Sequence, residues 1–380
     1  MSSCDIIIPV WNQLQYTKRC IESIAKNTRY PYNLILIDNK SAALTRDYLE
    51  GFVKESANAT LIKNGENLGF IKAANQGLKL SKAPYTLLMN NDTMPTDGWL
   101  TKMVAIAESD PMIGLVNPKS ESPGGASLED YSKRLAENKG GYIETNQCMG
   151  FCMLIKREVI EGIGYLDEIY GMGGFDDTDF SRRAYLKGYK CVCAKDAYVY
   201  HKWHTSFNKA GNREELVRQN EKIFFDKWGR YIRIGYPIIY RTKDDFYRDI
   251  NISLSMAREW NWVHAWLKKD NALKKALDSM NLPEHQSLRL FNMSGNKRLF
   301  YLSVLFRLVE RRLKKRKLFD AILVSDKKLL NFLRFFKALF STPLFYIERE
   351  HRLEEFNEKS YRILAGAIAE SIKKGKTDEV

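Results

Sequence analysis

Between Asp5 and Val116 the chain repeats one pattern: a short apolar run, a polar stop, then an amphipathic stretch of helical length. Asp5-Ile6-Ile7-Ile8-Pro9-Val10 is the first run, Leu34-Ile35-Leu36-Ile37 the second, Thr60-Leu61-Ile62 the third and Tyr85 to Met89 the fourth. Helices are predicted over 14–26, 44–55 and 70–80. Runs this short and this continuously apolar read as strands buried on both faces. Strands alternating with helices predict an α/β fold, a mostly parallel sheet with helices on both sides. Ligands of such sheets sit at the carboxyl ends of the strands. Pro9-Val10-Trp11-Asn12, Asp38-Asn39 and Asn91-Asp92 all fall there.

Farther along, 120–141 turns to Ser, Gly, Pro, Glu and Lys, the composition of a mobile surface loop or lid. A strand is expected within 147–155, a helix over 177–187 and an extended segment over 191–200. After about Tyr240 no strand-like run with glycine turns stands out, and the chain becomes helical, aromatic and basic. The expected organisation is therefore a catalytic domain over 1–240 and an all-helical, basic, amphipathic domain over 241–380. Between Lys297 and Lys337 thirteen basic residues face three acidic ones, a net of +10. Apolar residues recur there at helical spacing, among them Leu302, Leu305, Phe306, Val309 and Leu313, then Phe332, Phe335, Phe336, Leu339 and Phe340.

The whole chain of 380 residues carries a formal net charge of +14, which calls for an anionic partner. No zinc-finger or RNA-stacking signature is present, so nucleic acid is not expected. Charge concentrated beside apolar helix faces suits an anionic membrane surface; a helical core with a solvated basic face is the plain alternative. The start shows no basic n-region or long apolar h-region, and no run of about 18 uncharged apolar residues occurs. The expected location is cytoplasmic, peripheral on the inner face of the cell membrane. The six cysteines are expected to be reduced there. The CxxxC of Cys148 and Cys152 and the CxC of Cys191 and Cys193 are not the usual zinc spacings, and small buried apolar residues are the simpler reading.

Two acidic segments carry the chemistry. Asn90-Asn91-Asp92 puts a carboxylate at a strand's end, where it can hold a metal against a phosphate; a strand-end turn is the alternative. Asp176, Asp177 and Asp179 pack three acids into four residues after a glycine-rich turn, enough for a general base or for an acid-rich helix start. Asp38 can accept from a ribose hydroxyl or a base edge, or simply form a turn with Asn39. Asn67-Leu68-Gly69-Phe70 opens a helix whose amino end favours an anion, or caps it. His201 and His204 are candidate ligands, and Trp11 and Trp203 can stack on a sugar or base.

Taken in order, these segments resemble glycosyltransferase family 2, with the GT-A fold, and its rhamnosyltransferase-like bacterial members. The likeness covers about 4–210 and rests on Ile7-Ile8-Pro9-Val10-Trp11-Asn12, Ile37-Asp38-Asn39, Asn64 with Asn67-Leu68-Gly69-Phe70, Leu88-Met89-Asn90-Asn91-Asp92, Gly164-Tyr165-Leu166-Asp167-Glu168, Phe175-Asp176-Asp177-Thr178-Asp179, and His201 with Ser206. The resemblance implies a metal-dependent, inverting transfer from a UDP-, dTDP- or GDP-sugar to a glycan or lipid-linked acceptor in surface polysaccharide synthesis. It implies donor contacts by Pro9, Val10, Asn12, Asp38, Asn67, Gly69 and Asn91. Asn90 replaces the first acid of the family's DxD motif, which leaves Asp92, with His201, to hold Mg²⁺ or Mn²⁺. The motif makes Asp177 the base and Asp176 the second choice, with Asp179 pairing to Arg182 or Arg183 or capping the helix. A homo-oligomer is compatible with all of this. A nucleotidyltransferase would carry a glycine-rich phosphate loop after the first strand, which Pro9-Val10-Trp11-Asn12 lacks. A non-catalytic scaffold is the other competing reading.

Overall fold

The structure is a computed structural model and describes residues 3–202, 213–240, 242–269, 283–314, 318–347 and 358–374. It contains two compact units, Met1–Gly229 and Arg230–Val380. The first holds a nine-stranded sheet. β1 (Cys4–Val10) lies at its heart, parallel to β2 (Tyr32–Asp38) on one side and to β4 (Tyr85–Met89) on the other, with β3 (Ala59–Lys63) outside β2. Ile6, Ile7 and Ile8 are all fully buried, as continuous burial of both faces requires. α1 (Leu14–Asn27), α2 (Ala43–Glu55) and α3 (Gly69–Leu80) connect these strands, within a residue or so of the expected spans.

Parallel register brings the strand ends to one edge: Val10 stands opposite Asp38, and Asp38 opposite Lys63. The remaining strands return other segments to that edge. β8 (Cys152–Lys156) runs antiparallel to β4 with Cys152 opposite Met89, so the turn before it reaches the end of β4, where Asn90 N donates to Phe151 O at 2.9 Å. β9 (Lys190–His201) pairs antiparallel with β5 (Thr93–Pro95), and Thr93 opposite His201 carries the histidine alongside Asp92. β6 (Ile113–Lys119) and β7 (Tyr142–Thr145) complete the sheet around β9. Cys152 and Cys191 are buried in these strands and Cys148 just before β8, each as a free thiol.

Two expectations change. The segment 120–141 contains a helix, α5 (Leu128–Leu135), capped by Ser127 and packed on β9 through Tyr131 and Tyr198, rings 4.8 Å apart. The second unit is not all-helical. β10 (Arg233–Ile238), β11 (Trp262–Lys268), β12 (Leu288–Met293), β13 (Ala321–Val324) and β14 (Leu344–Tyr346) form an all-parallel sheet in the order β12-β11-β10-β13-β14. Its first strand lies before Tyr240, so the unit begins at Arg230 rather than Arg241. One face packs against α9 (Lys243–Arg258) and a terminal helix over Glu358–Lys373; the other carries Phe300, Val304 and Leu308 of α10 (Lys297–Leu313) and Leu329, Leu330 and Leu333 of α11 (Lys327–Phe335). Strands of three to seven residues carrying Arg233, His264, Lys268 and Arg289 show little periodicity, so the amphipathic helices dominate the sequence signal.

The close fit of α3 on the first sheet supplies a test. A Cβ at Gly77 would run into the side chain of Ile7 and lie 3.2 Å from Ile37 Cδ1. Gly77→Ala should destabilise the protein by about 1–3 kcal/mol despite better helix propensity, read as a lower urea midpoint at unchanged slope.

Candidate active site

A cavity of about 600 Å³ opens at the carboxyl edge of the first sheet. The end of β1 gives it Pro9, Val10 and Trp11, and the end of β4 gives Asn90, Asn91 and Asp92. Asn39, Asn67, Gly69, His201, Asp176 and Asp177 also line it. Of the residues singled out in the sequence, Pro9, Val10, Asn67, Gly69, Asn91, Asp92, Asp176, Asp177 and His201 thus share one space.

Asp38 and Asn12 stand outside that lining. Asp38 is buried and accepts from Ser41 N at 2.8 Å, with Arg46 Nε 3.8 Å away. Asn12 donates through its backbone to Ser41 Oγ at 2.9 Å and accepts from Ala42 N at 2.7 Å. Their polar atoms hold the turn into α2. Asn39 faces the cavity instead, and its amide organises the next loop. It donates to Asn67 Oδ1 at 2.7 Å and Gly69 O at 3.1 Å, and accepts from Leu68 N and Asn64 Nδ2, both at 3.0 Å. Gly69 has φ +79°, and a Cβ there would lie 2.9 Å from Met172 Sδ, so glycine is required by a protein contact as well as by the backbone. Asn91 donates to Thr17 Oγ1 at 2.9 Å and ties the strand end to α1.

Asp92 and His201 meet directly, Oδ1 to Nε2 at 3.2 Å, both nearly buried. Asn90 Nδ2 is 3.3 Å from the same ring nitrogen, and Phe151 stacks flat on the imidazole, 4.9 Å between centroids. Among the described residues no group of three or more His, Cys, Asp or Glu side chains gathers as a metal site. Asp92 and His201 form a two-donor set, which fits a hard divalent cation whose other ligands come from phosphate and water. Trp203, His204 and Ser206 lie outside the described residues.

The second acidic group begins α7 (Asp176–Leu186). Phe175, at φ 71°, turns the chain into the helix and packs on Phe224 at 5.5 Å. Asp176 Oδ1 accepts from Gly174 N at 2.8 Å. Asp177 Oδ2 accepts from Gly150 N at 3.0 Å, and its other oxygen from Thr178 N at 2.7 Å. Burial, then the charge of Asp177, push the Asp176 carboxyl well above the ordinary carboxylate range. Burial also raises Asp177, against the pull of its hydrogen bonds. The two therefore titrate as a pair, at higher pH than solvated aspartates.

Asp179 is different in kind. Fully buried, it accepts from Arg183 Nε at 2.8 Å, from Trp228 Nε1 at 2.8 Å and from Tyr170 Oη at 3.3 Å, with Lys227 Nζ at 2.8 Å. Lys227 and Trp228 end α8 (Arg213–Trp228), whose Glu215, Leu216, Val217 and Gln219 also line the cavity. Asn220 of α8 donates to Tyr170 O at 2.9 Å and Gly173 O at 3.1 Å, pinning the glycine-rich turn. Sequence reading passed over α8 and placed Asn39 at the ligand edge only as the turn partner of Asp38. No local pattern marks α8, but Asn39 follows a strand as Asp38 does and was detectable by position.

Comparison with known proteins identifies part of the chain. Residues 5–164 match the family profile described as Glycosyl transferase family 2. This segment belongs to glycosyltransferase family 2. Glycosyltransferase AglE of Haloferax volcanii is 25% identical over 203 residues, 52% of this chain and 66% of the relative. An uncharacterized glycosyltransferase of Haemophilus influenzae is 31% identical over 206 residues, 53% of this chain and 58% of the relative. The chain therefore spans less than two thirds of the length of either curated relative. A solved mannosyltransferase from Pyrobaculum calidifontis, in complex with GDP-Man and Mn²⁺, aligns with TM-score 0.47 and 15% identity over 99% of this chain and 88% of its own.

The buried Asp179 cluster makes a prediction. Asp179→Ala removes the buried carboxylate that Arg183, Lys227, Trp228 and Tyr170 share and should cost about 3–5 kcal/mol. Chemical denaturation would show it, while Asp177→Asn should leave the midpoint near wild type.

Proposed function

We propose that the amino-terminal unit transfers a sugar from a nucleotide-sugar donor to a hydroxyl of a glycan or lipid-linked acceptor, with inversion at the anomeric carbon. The observation that carries this reading is the convergence of the Asp92–His201 pair and the Asp176–Asp177 pair on one cavity. Family membership supports the reaction class, and surface polysaccharide synthesis is the setting that best fits it. Trp11, partly exposed at the cavity, offers a ring face to a sugar or base. Asn39 and Asn67 hold the loop that approaches the donor.

Asp177 is the group assigned to take the acceptor's proton as the new bond forms. Its hydrogen bond from Gly150 N fixes the carboxylate, and burial raises it above the ordinary carboxylate range, a basicity suited to a proton acceptor. Asp92 and His201 would hold Mg²⁺ or Mn²⁺, which when bound supplies positive charge against the departing nucleoside diphosphate. Single displacement at the anomeric carbon implies oxocarbenium character in the transition state.

A panel of UDP-, dTDP- and GDP-sugars, assayed for slow hydrolysis and for transfer, tests the proposal. Asp177→Asn should lower turnover by about 10²–10⁴ while donor binding persists. In the wild type the acid limb of the kcat/KM profile should lie above the usual carboxylate range, because activity needs the pair unprotonated and burial has raised it. A limb near pH 4 (about the ordinary Asp value) would assign the base elsewhere.

Excess chelator should abolish donor turnover, and added Mg²⁺ or Mn²⁺ should restore it. Asp92→Ala should stay inactive under the same readdition with an unchanged melting curve. Full activity in chelator would remove the metal from the reaction.

A further inference from the structure

α10 is apolar on two opposite sides. Phe300, Val304 and Leu308 face the sheet. Leu299, Leu302, Phe306 and Leu313, spaced three, four and seven residues apart, lie on the other side and are 54%, 53%, 66% and 75% exposed. A helix apolar on both sides is normally covered on both. Beside it, α11 leaves Phe335 82% exposed, and Arg312 of α10 donates to Ala338 O, in the turn just after α11, at 2.9 Å. Phe332 and Phe336, half-buried, and Phe340, buried, belong to the packing instead: Phe332 stacks between Tyr301 and Phe336. The aromatic set expected to be available is thus reduced to Phe335, with Leu339 nearby.

The surroundings of this surface are cationic. Ten basic residues stand against three acidic ones in the described part of 297–337, a net of +7. Arg298, Lys328 and Arg334 are exposed and flank the apolar side chains, Lys328 standing two helical turns before Phe335 on the same face. A second copy of this chain would oppose that charge to itself. An anionic bilayer complements it, and long basic side chains can reach the phosphates while leucine and phenylalanine enter the headgroup boundary.

We propose that α10 and α11 form a docking face for an anionic lipid bilayer, placing the protein peripherally on the inner leaflet. The face lies wholly within the second unit and uses none of the residues assigned to the transfer, so each proposal can fail alone. No helix among the described residues is long and apolar enough to span a membrane.

Flotation of the full chain with phosphatidylglycerol-containing vesicles, with phosphatidylcholine vesicles as control, tests the proposal. Binding should require the anionic lipid and weaken with salt. Replacing Arg298, Lys328 and Arg334 by Gln together should weaken partitioning about a hundredfold at low salt. Leu302→Ser with Phe306→Ser should weaken it at least about tenfold, with an unchanged melting curve because both side chains lie outside the core. Failure to float with anionic vesicles at low salt, or equal binding to neutral ones, overturns the proposal. So does a dimer that Phe306→Ser dissolves in a protein that ignores vesicles.

Discussion

One buried carboxylate organises the catalytic unit. Asp179 collects Arg183, Lys227, Trp228 and Tyr170 in an environment closed to water. Its charge is tolerable only because cations and donors surround it on every side. The same contacts lock α7 to α8 and to the turn that precedes it. Asp176 and Asp177 occupy the first turn of that helix, so their positions in the cavity depend on a side chain that does not line it. A neutral residue of the same size at 179 would keep the volume and lose the clamp.

Asparagines at the carboxyl edge of the first sheet tie the loops around the cavity together. Asn39 and Asn64 both donate and accept, Asn67 accepts from Gly69 N and Asn91 donates to Thr17, so a short loop can satisfy buried backbone without a helix or sheet. The lining carboxylates are Asp92 on one segment, the aspartate pair on another and Glu215 of α8. Asp92 meets an imidazole, whereas burial raises the pKa of both Asp176 and Asp177, and the charge of Asp177 raises Asp176 further.

The second unit repeats the architecture with different chemistry. Its strands are all parallel, its helices cover both faces, and one helix pair leaves an apolar surface rimmed by cations. The apolar side chains and the charge of that surface come from the same few turns of α10 and α11, in a core separate from that of the first unit.

The sequence by itself determined the alternation of strand and helix through Leu80, the positions of both acidic groups and the cationic character of 297–337. These are local properties: burial of a strand, the stop at its end and the sign of a charge run are written within a few residues. The tertiary structure decided which of those residues meet. Asp38 and Asn39 are adjacent and equally polar, yet strand twist and the turn into α2 send one into a hydrogen-bonded turn and the other to the cavity. His201 reaches Asp92 only because β9 pairs with β5 more than a hundred residues away in sequence. The five strands after Gly229 were hidden for the same reason. They are short, and parallel pairing joins segments far apart in the chain, whose partners no local window contains.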